Sequence, residues 1–187
     1  MIEKIKVTPI KTYHLRALAD FCKECEKLGY TNNSSFEAMK LEWCKSYGEY
    51  YCALKGAKII AVGGCHPLPE VSKSAWRILF RGCELPFTDN FKGLSKGDWN
   101  SITQREFIPK MIDYCQSDEL YLTTNVDNEH SNGKAARNHR LMGLLAKQGI
   151  LKDCGTRELF FTKQTLWQLN IDEYLKRRSL ITNEYVD

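Results

Sequence analysis

Apolar residues recur along this chain at two spacings, and the switches between the spacings mark its elements. Ile5, Val7 and Ile10 read as an opening strand. Leu15, Leu18, Cys22 and Cys25 follow at the three-and-four spacing of a helix that ends at Gly29. Ser34 with Glu37 three residues later forms a capping box for a second helical stripe, Phe36, Met39, Trp43 and Tyr47. Tyr50 to Leu54 and Lys58 to Val62 are strand-like, and Lys55-Gly56-Ala57 between them is hairpin chemistry. Gly63-Gly64-Cys65-His66-Pro67-Leu68-Pro69 predicts a bend or a bulged strand end, because glycine weakens strands and proline lacks the amide donor. Ala75 to Cys83 alternates as a third strand of an antiparallel meander.

Pro86 to Ser101 is irregular and leads to a helix with Phe107, Ile108, Met111, Ile112 and Cys115 on its apolar stripe. Thr103 and Glu106 are placed to cap that helix, with Pro109 kinking its interior. Glu119 to Thr124 predicts a strand, and a polar loop then leads into a helix that carries Asn138 and stops at Gly149. Arg157 to Thr162 predicts a further strand, and Leu166 to Arg178 a strand end followed by a short terminal helix. The order is strand, two helices, three antiparallel strands, helix, strand, helix, strand, an α/β or α+β chain with a mixed sheet.

At 187 residues and 43% apolar content, the chain predicts one domain over 1–187, with a core over 5–162 and a C-terminal extension over 163–187. Its longest apolar runs, Ile59 to Val62 and Ile78 to Phe80, fall far short of the roughly 20 residues that cross a bilayer. Met1-Ile2-Glu3-Lys4 has no signal-peptide profile, so a cytoplasmic location without membrane contact is expected. Without an export signal, the eight cysteines read as free buried thiols. Cys22 and Cys25 form a C-x-x-C with no second pair, which favours core packing over a metal site. The net charge of +4 permits contact with nucleic acid without requiring it, and Lys176-Arg177-Arg178 reads first as a solvated helix end.

Asn138, Leu141, Leu144, Leu145, Gly149 and Ile150 together resemble the strand-helix signature of the GNAT N-acetyltransferase superfamily. Leu145 stands where that signature has Tyr, and Ile150 where it has Phe. The order of elements from about Ile5 to Thr162 is also that of the GNAT fold, β1-α1-α2-β2-β3-β4-α3-β5-α4-β6/7, with a V-shaped splay between its fourth and fifth strands. Trp76-Arg77-Ile78-Leu79-Phe80 and Leu159-Phe160-Phe161-Thr162 look most like the divergent GNAT-like proteins of tailed bacteriophages.

The resemblance implies that acetyl-CoA, or another acyl-CoA, is a co-substrate lying in the splay. The strands that flank it map to Ala75 to Cys83, with Phe80 and Gly82, and to Glu119 to Thr124, with Thr124 and Asn125 at its end. Asn138 on the following helix is implied as a further contact. The family's pyrophosphate motif, R/Q-x-x-G-x-G/A, is absent as written. Lys92-Gly93-Leu94-Ser95-Lys96-Gly97 is the nearest substitute, its glycines Gly93 and Gly97 admitting close backbone approach and Lys92 and Lys96 pairing with phosphate, against a reading as a plain surface loop.

Amine acetylation requires a group that removes the amine proton. Glu84, at the end of the fourth strand, is the first candidate by the same resemblance, followed by Asp89, His66 and Glu119. Leu145 has no proton for the leaving thiolate, so Tyr114, Tyr121, Cys83 or water would supply it. His139, beside Asn138 in sequence, is expected to point elsewhere. The leading expectation is N-acyl transfer from acyl-CoA to an amine on a small molecule or protein, with no metal. A GNAT-like binding or virion-associated protein without catalysis is the rival, and acylation of a nucleic acid or tRNA base is a third reading. Acceptor choice would fall to Tyr30 to Ser35 and Pro86 to Ser101.

Overall fold

In the computed structural model, residues 5–27, 48–81, 102–126 and 134–183 are described. The opening pattern forms β1 (Lys6–Pro9) and α1 (Leu15–Lys27), which buries Leu18 and Cys22 as its spacing predicts, and Phe21 beside them. The meander forms β2 (Glu49–Lys55), β3 (Lys58–Pro67) and β4 (Trp76–Arg81). A π-helical turn, Ile102–Phe107, then runs into α2 (Ile108–Cys115), followed by β5 (Leu120–Asn125) and α3 (Lys134–Lys147). A closing hairpin of β6 (Leu151–Leu159) and β7 (Thr162–Leu169) leads to α4 (Ile171–Asn183). The strands form one seven-stranded sheet in the order β1-β2-β3-β4-β5-β7-β6, mixed as expected. The second helical stripe, Phe36 to Tyr47, lies outside the described residues.

The chain divides into two compact units, Met1–Pro67 with Ile78–Cys115, and Leu68–Arg77 with Gln116–Asp187. In the first, β3 does not break at Gly63: it runs unbroken through Gly63, Gly64, Cys65 and His66 to Pro67, paired to β2 from Lys58 to Cys65. The expected bend is replaced by close packing. A Cβ at Gly63 would lie 2.6 Å from the Phe107 ring and 3.0 Å from the end of Met111. A Cβ at Gly64, on the opposite face, would strike the ring of its cross-strand partner Tyr50. The glycines are strand residues whose side-chain volume has been ceded to aromatic rings on both faces. Phe107 is fully buried and stacks on Phe80, with ring centroids 6.2 Å apart.

Thr103 does not cap α2; it is buried within the π-helical turn, and Glu106 pairs instead with Lys110 at 3.1 Å. The wide π-helical turn ahead of Pro109 relieves the clash between its ring and the preceding carbonyls that a regular helix would impose.

In the second unit, α3 ends where its glycine predicts. Gly149 sits at φ +78°, its amide donating to the Ala146 carbonyl at 2.9 Å and the Ile150 amide to the Leu145 carbonyl at 3.0 Å, the double bond of a Schellman cap. Gly149→Ala is expected to lower unfolding free energy by about 1 kcal/mol, read by urea titration, because a Cβ is disfavoured in that conformation.

The strand predicted from Arg157 to Thr162 is broken in its middle: Arg157 to Leu159 end β6, Thr162 opens β7, and the chain turns between them. Phe160 (φ 54°) and Phe161 (φ 60°) form its two-residue turn between the paired Leu159 and Thr162. Two bulky residues occupy positions where Asn-Gly is usual, which is why the pattern reads as strand in sequence. The Arg77 guanidinium lies 4.2 Å from the Phe160 ring centroid, and Phe161 is fully exposed. β7 lies inside the sheet between β5 and β6, and its end, from Leu166 to Leu169, leads into α4 as the sequence pattern predicts. β6 is outermost, largely exposed, and shifts register against β7 between Asp153 and Thr156.

Among the described residues, no helix is long and apolar enough to cross a membrane. Cys22, Cys52, Cys65, Cys115 and Cys154 are free thiols. Cys65 and Cys115 share a hydrogen bond that holds the Cys65 thiol below its ordinary range and pushes Cys115 up.

Candidate functional site

β4 and β5 are parallel neighbours in the sheet, as the resemblance requires. A backbone bond from the Trp76 amide to the Glu119 carbonyl at 2.8 Å opens their ladder, which pairs Trp76 with Leu120 and Arg77 with Tyr121. Among the described residues the ladder ends there, while β5 continues to Asn125. On its other edge β5 is fully paired, Tyr121 to Asn125 against Gln168 to Gln164 of β7. From Leu122 onward, β5 therefore carries one recorded ladder where an inner strand has two. Thr123, in that stretch, has a buried Oγ1 with no hydrogen-bond partner among the described residues. An orphaned hydroxyl in the interior is costly, and it is the type of group that a bound polar ligand satisfies.

Of the cofactor-contacting residues expected from sequence, Thr124 and Asn125 lie on this stretch of β5, and Asn138 lies in α3. Thr124 is buried, and its hydroxyl accepts the Trp167 indole N–H at 2.8 Å. The same oxygen lies 3.4 Å from His139 Nδ1. His139 thus lies against β5, while Leu141 and Leu144 of the same helix are about half exposed. Leu145, in the place of the family's tyrosine, is partly buried. Phe80 belongs to the first unit, where it stacks on Phe107. Gly82, Cys83, Glu84, Asp89, Lys92, Gly93, Lys96 and Gly97 lie outside the described residues.

The structure gives the remaining acid-base candidates definite surroundings. Tyr121 is buried in a cluster with Leu68, Ala75, Leu159 and Leu166, and burial, with the Glu119 charge nearby, pushes its phenol up. Its ring is a core element, and its proton is held tightly at neutral pH. Glu119 accepts the hydroxyls of Ser72 and Ser74, which hold its carboxyl below the usual range. Both bonds fall on one carboxylate oxygen, Oε2. His66 is buried, with its Nδ1 2.9 Å from the Tyr50 hydroxyl, a pair internal to β2 and β3. Tyr114 is exposed, and slight burial raises its phenol. Among the described residues, no group of three or more His, Cys, Asp or Glu side chains has the placement to hold a metal ion.

The Thr123 orphan and the Trp167–Thr124–His139 chain escape a reading of the sequence. The residues of the chain lie 15 and 43 positions apart, and periodicity reports faces rather than partners.

No protein-family profile matches this chain, and no curated protein matches it in sequence. Its backbone is nevertheless similar to solved acetyltransferases. An aminoglycoside acetyltransferase in complex with coenzyme A and kanamycin superposes with a TM-score of 0.61 at 10% identity, covering 94% of this chain and 99% of that one. A spermidine N-acetyltransferase chimera from Vibrio cholerae and hSSAT gives 0.56 at 14% identity, over 92% and 98% of the two chains. A GNAT-family acetyltransferase from Streptococcus pneumoniae gives 0.52 at 14% identity, over 88% and 98%. At these identities the likeness establishes the fold, which is the GNAT fold.

Proposed function

We propose that this chain is an acyl-CoA-dependent N-acyltransferase, acetyl-CoA being the first donor to test, that acylates an amine by direct attack on the thioester. The single observation that carries this reading is the early end of the β4–β5 ladder, after Arg77 and Tyr121, within a GNAT fold. Among the described residues, this leaves Leu122 to Thr124 of β5 without a recorded pair on that edge, where the amides of a pantetheine arm would add as another strand does. Thr123 Oγ1 supports the fit, because it is a buried hydroxyl with its hydrogen bond still to make. The neighbour solved with coenzyme A makes the same co-substrate the natural choice.

Bound acyl-CoA supplies an activated acyl group with a thiol leaving group. The chain must accept the proton released by the attacking amine, a role for which Glu84 remains the leading candidate from sequence. The leaving thiolate is reprotonated by water or by Cys83, since Tyr121 is packed in the core. A second reading, a GNAT-like binder without catalysis, draws on Leu145, whose hydrocarbon side chain has no proton to give.

Calorimetric titration with acetyl-CoA tests the proposal: saturable binding is expected, and no heat at millimolar ligand would end it. Binding without turnover of any amine in a broad panel would favour the second reading. Thr123→Val sharpens the measurement. Deleting a buried hydroxyl that lacks a partner is expected to raise unfolding free energy by about 1 kcal/mol. The same substitution is expected to weaken acetyl-CoA binding, so that stability and affinity move in opposite directions.

A further inference from the structure

The first unit buries two thiols side by side, on elements far apart in the chain. Cys65 lies on β3 and is fully buried, and Cys115, 50 positions later, is the last residue of α2, with 8% of its surface exposed. Strand alternation puts Cys65 on the face of β3 that Gly63 presents to Phe107 and Met111. Cys115 continues that stripe of α2, four residues after Met111. The two sulfurs share a hydrogen bond, and Cys65 Sγ also lies 3.8 Å from the carbonyl oxygen of Glu49, its cross-strand partner. Strand register and helix period thus bring the pair together from both sides.

A sulfur pair of this kind titrates as a unit. Its first proton leaves easily, because the remaining S–H bonds to the new thiolate, and its second is held, because two adjacent negative charges repel. The thiols are displaced in those directions, Cys65 down and Cys115 up. At Cys52 on β2, by contrast, burial pushes the thiol up to about 11. We infer that Cys65 and Cys115 form a peroxide-reactive dithiol that closes to a disulfide within the folded chain, a modification site that stands apart from the acyl-CoA reading. In the first step the thiolate attacks one oxygen of hydrogen peroxide and the O–O bond breaks. The sulfur becomes a sulfenic acid, and the departing hydroxide takes a proton from solvent to become water. In the second step the neighbouring thiol attacks the sulfenic sulfur, the S–S bond forms, and the expelled hydroxide leaves as water with the thiol's proton. The two thiols lose two electrons and the peroxide gains them. Closure draws the sulfurs from hydrogen-bond contact to about 2.05 Å. Cys115 is placed to supply that movement: the last carbonyls of a helix have no partner within it, and the chain leaves α2 at once through Gln116 at φ 47°.

Peptide mapping of the wild type tests this without a variant that must fold. The folded protein is treated with hydrogen peroxide, its remaining thiols are alkylated, and it is digested without reductant for mass spectrometry. A peptide joining Cys65 to Cys115 is expected, lighter than its reduced parts by two hydrogen atoms and separated again by dithiothreitol. Because the bridge closes a long loop in the unfolded chain, the oxidised protein is expected to melt about 10 °C above the reduced one. Cys115→Ser is expected to abolish both the joined peptide and the shift. Recovery of Cys65 and Cys115 as alkylated thiols while the partly exposed Cys154 is oxidised overturns the inference. So does Cys115 carried to sulfinic acid, or a joined peptide that forms only in urea.

Discussion

Phe107→Ala is expected to lower unfolding free energy by about 3–5 kcal/mol, the cost of a large buried aromatic with the cavity it leaves. The ring is fully buried, stacks on Phe80 and occupies the space over Gly63. Gly63→Ala attacks the same contact from the other side: its new Cβ would sit 2.6 Å from a ring that cannot retreat, and the expected loss is about 1–3 kcal/mol. The double substitution distinguishes this account from a general intolerance of β3 to change. With the ring gone, the methyl group added at Gly63 has room, so the pair should cost clearly less than the sum of its members. Urea unfolding of the four chains closes the cycle, and strict additivity would show that Phe107 is not the reason for the glycine.

Phe160→Asn combined with Phe161→Gly is expected to stabilise the chain by roughly 1–2 kcal/mol. Both positions hold left-handed backbone, at φ 54° and 60°, which costs an L-residue about 1–2 kcal/mol each. Asn-Gly adopts that turn with little strain. Two offsets reduce the gain: the Arg77 guanidinium loses its ring at 4.2 Å, and glycine gives the unfolded chain more freedom. Phe161 contributes no burial to oppose the change, since it is fully exposed. Thermal unfolding reads the result, and a lower midpoint would mean that the aromatic pair is held by packing stronger than the Arg77 contact.

These two places also mark where the sequence can be read and where it cannot. α1 follows from spacing alone, because it buries one face and the period of apolar residues reports that face. The end of α3 follows from Gly149, since a helix stop is a local matter of backbone conformation. Glycine ordinarily argues against a strand, so the pattern ends β3 too early at Gly63, and what reverses the argument is a ring 44 positions later in the chain. The apex at Phe160 and Phe161 reads as strand because it lacks every residue that signals a turn. For the candidate site, Thr124 and Asn138 rest on the resemblance, which spacing alone does not supply. The resemblance assigns Tyr121 a chemical role that burial among Leu68, Ala75, Leu159 and Leu166 makes a packing role.

The outermost strand has a consequence for behaviour at high concentration. Among the described residues β6 has β7 as its one strand neighbour, an edge that invites another chain to add a strand, yet that pairing slips between Asp153 and Thr156. A slipped, twisted margin offers no straight template, and Lys152, Arg157 and Glu158 place charge along it. At the opposite margin β1 is only four residues long. The protein thus guards both rims of its sheet against fibrillar stacking by different means, one by brevity and one by irregularity.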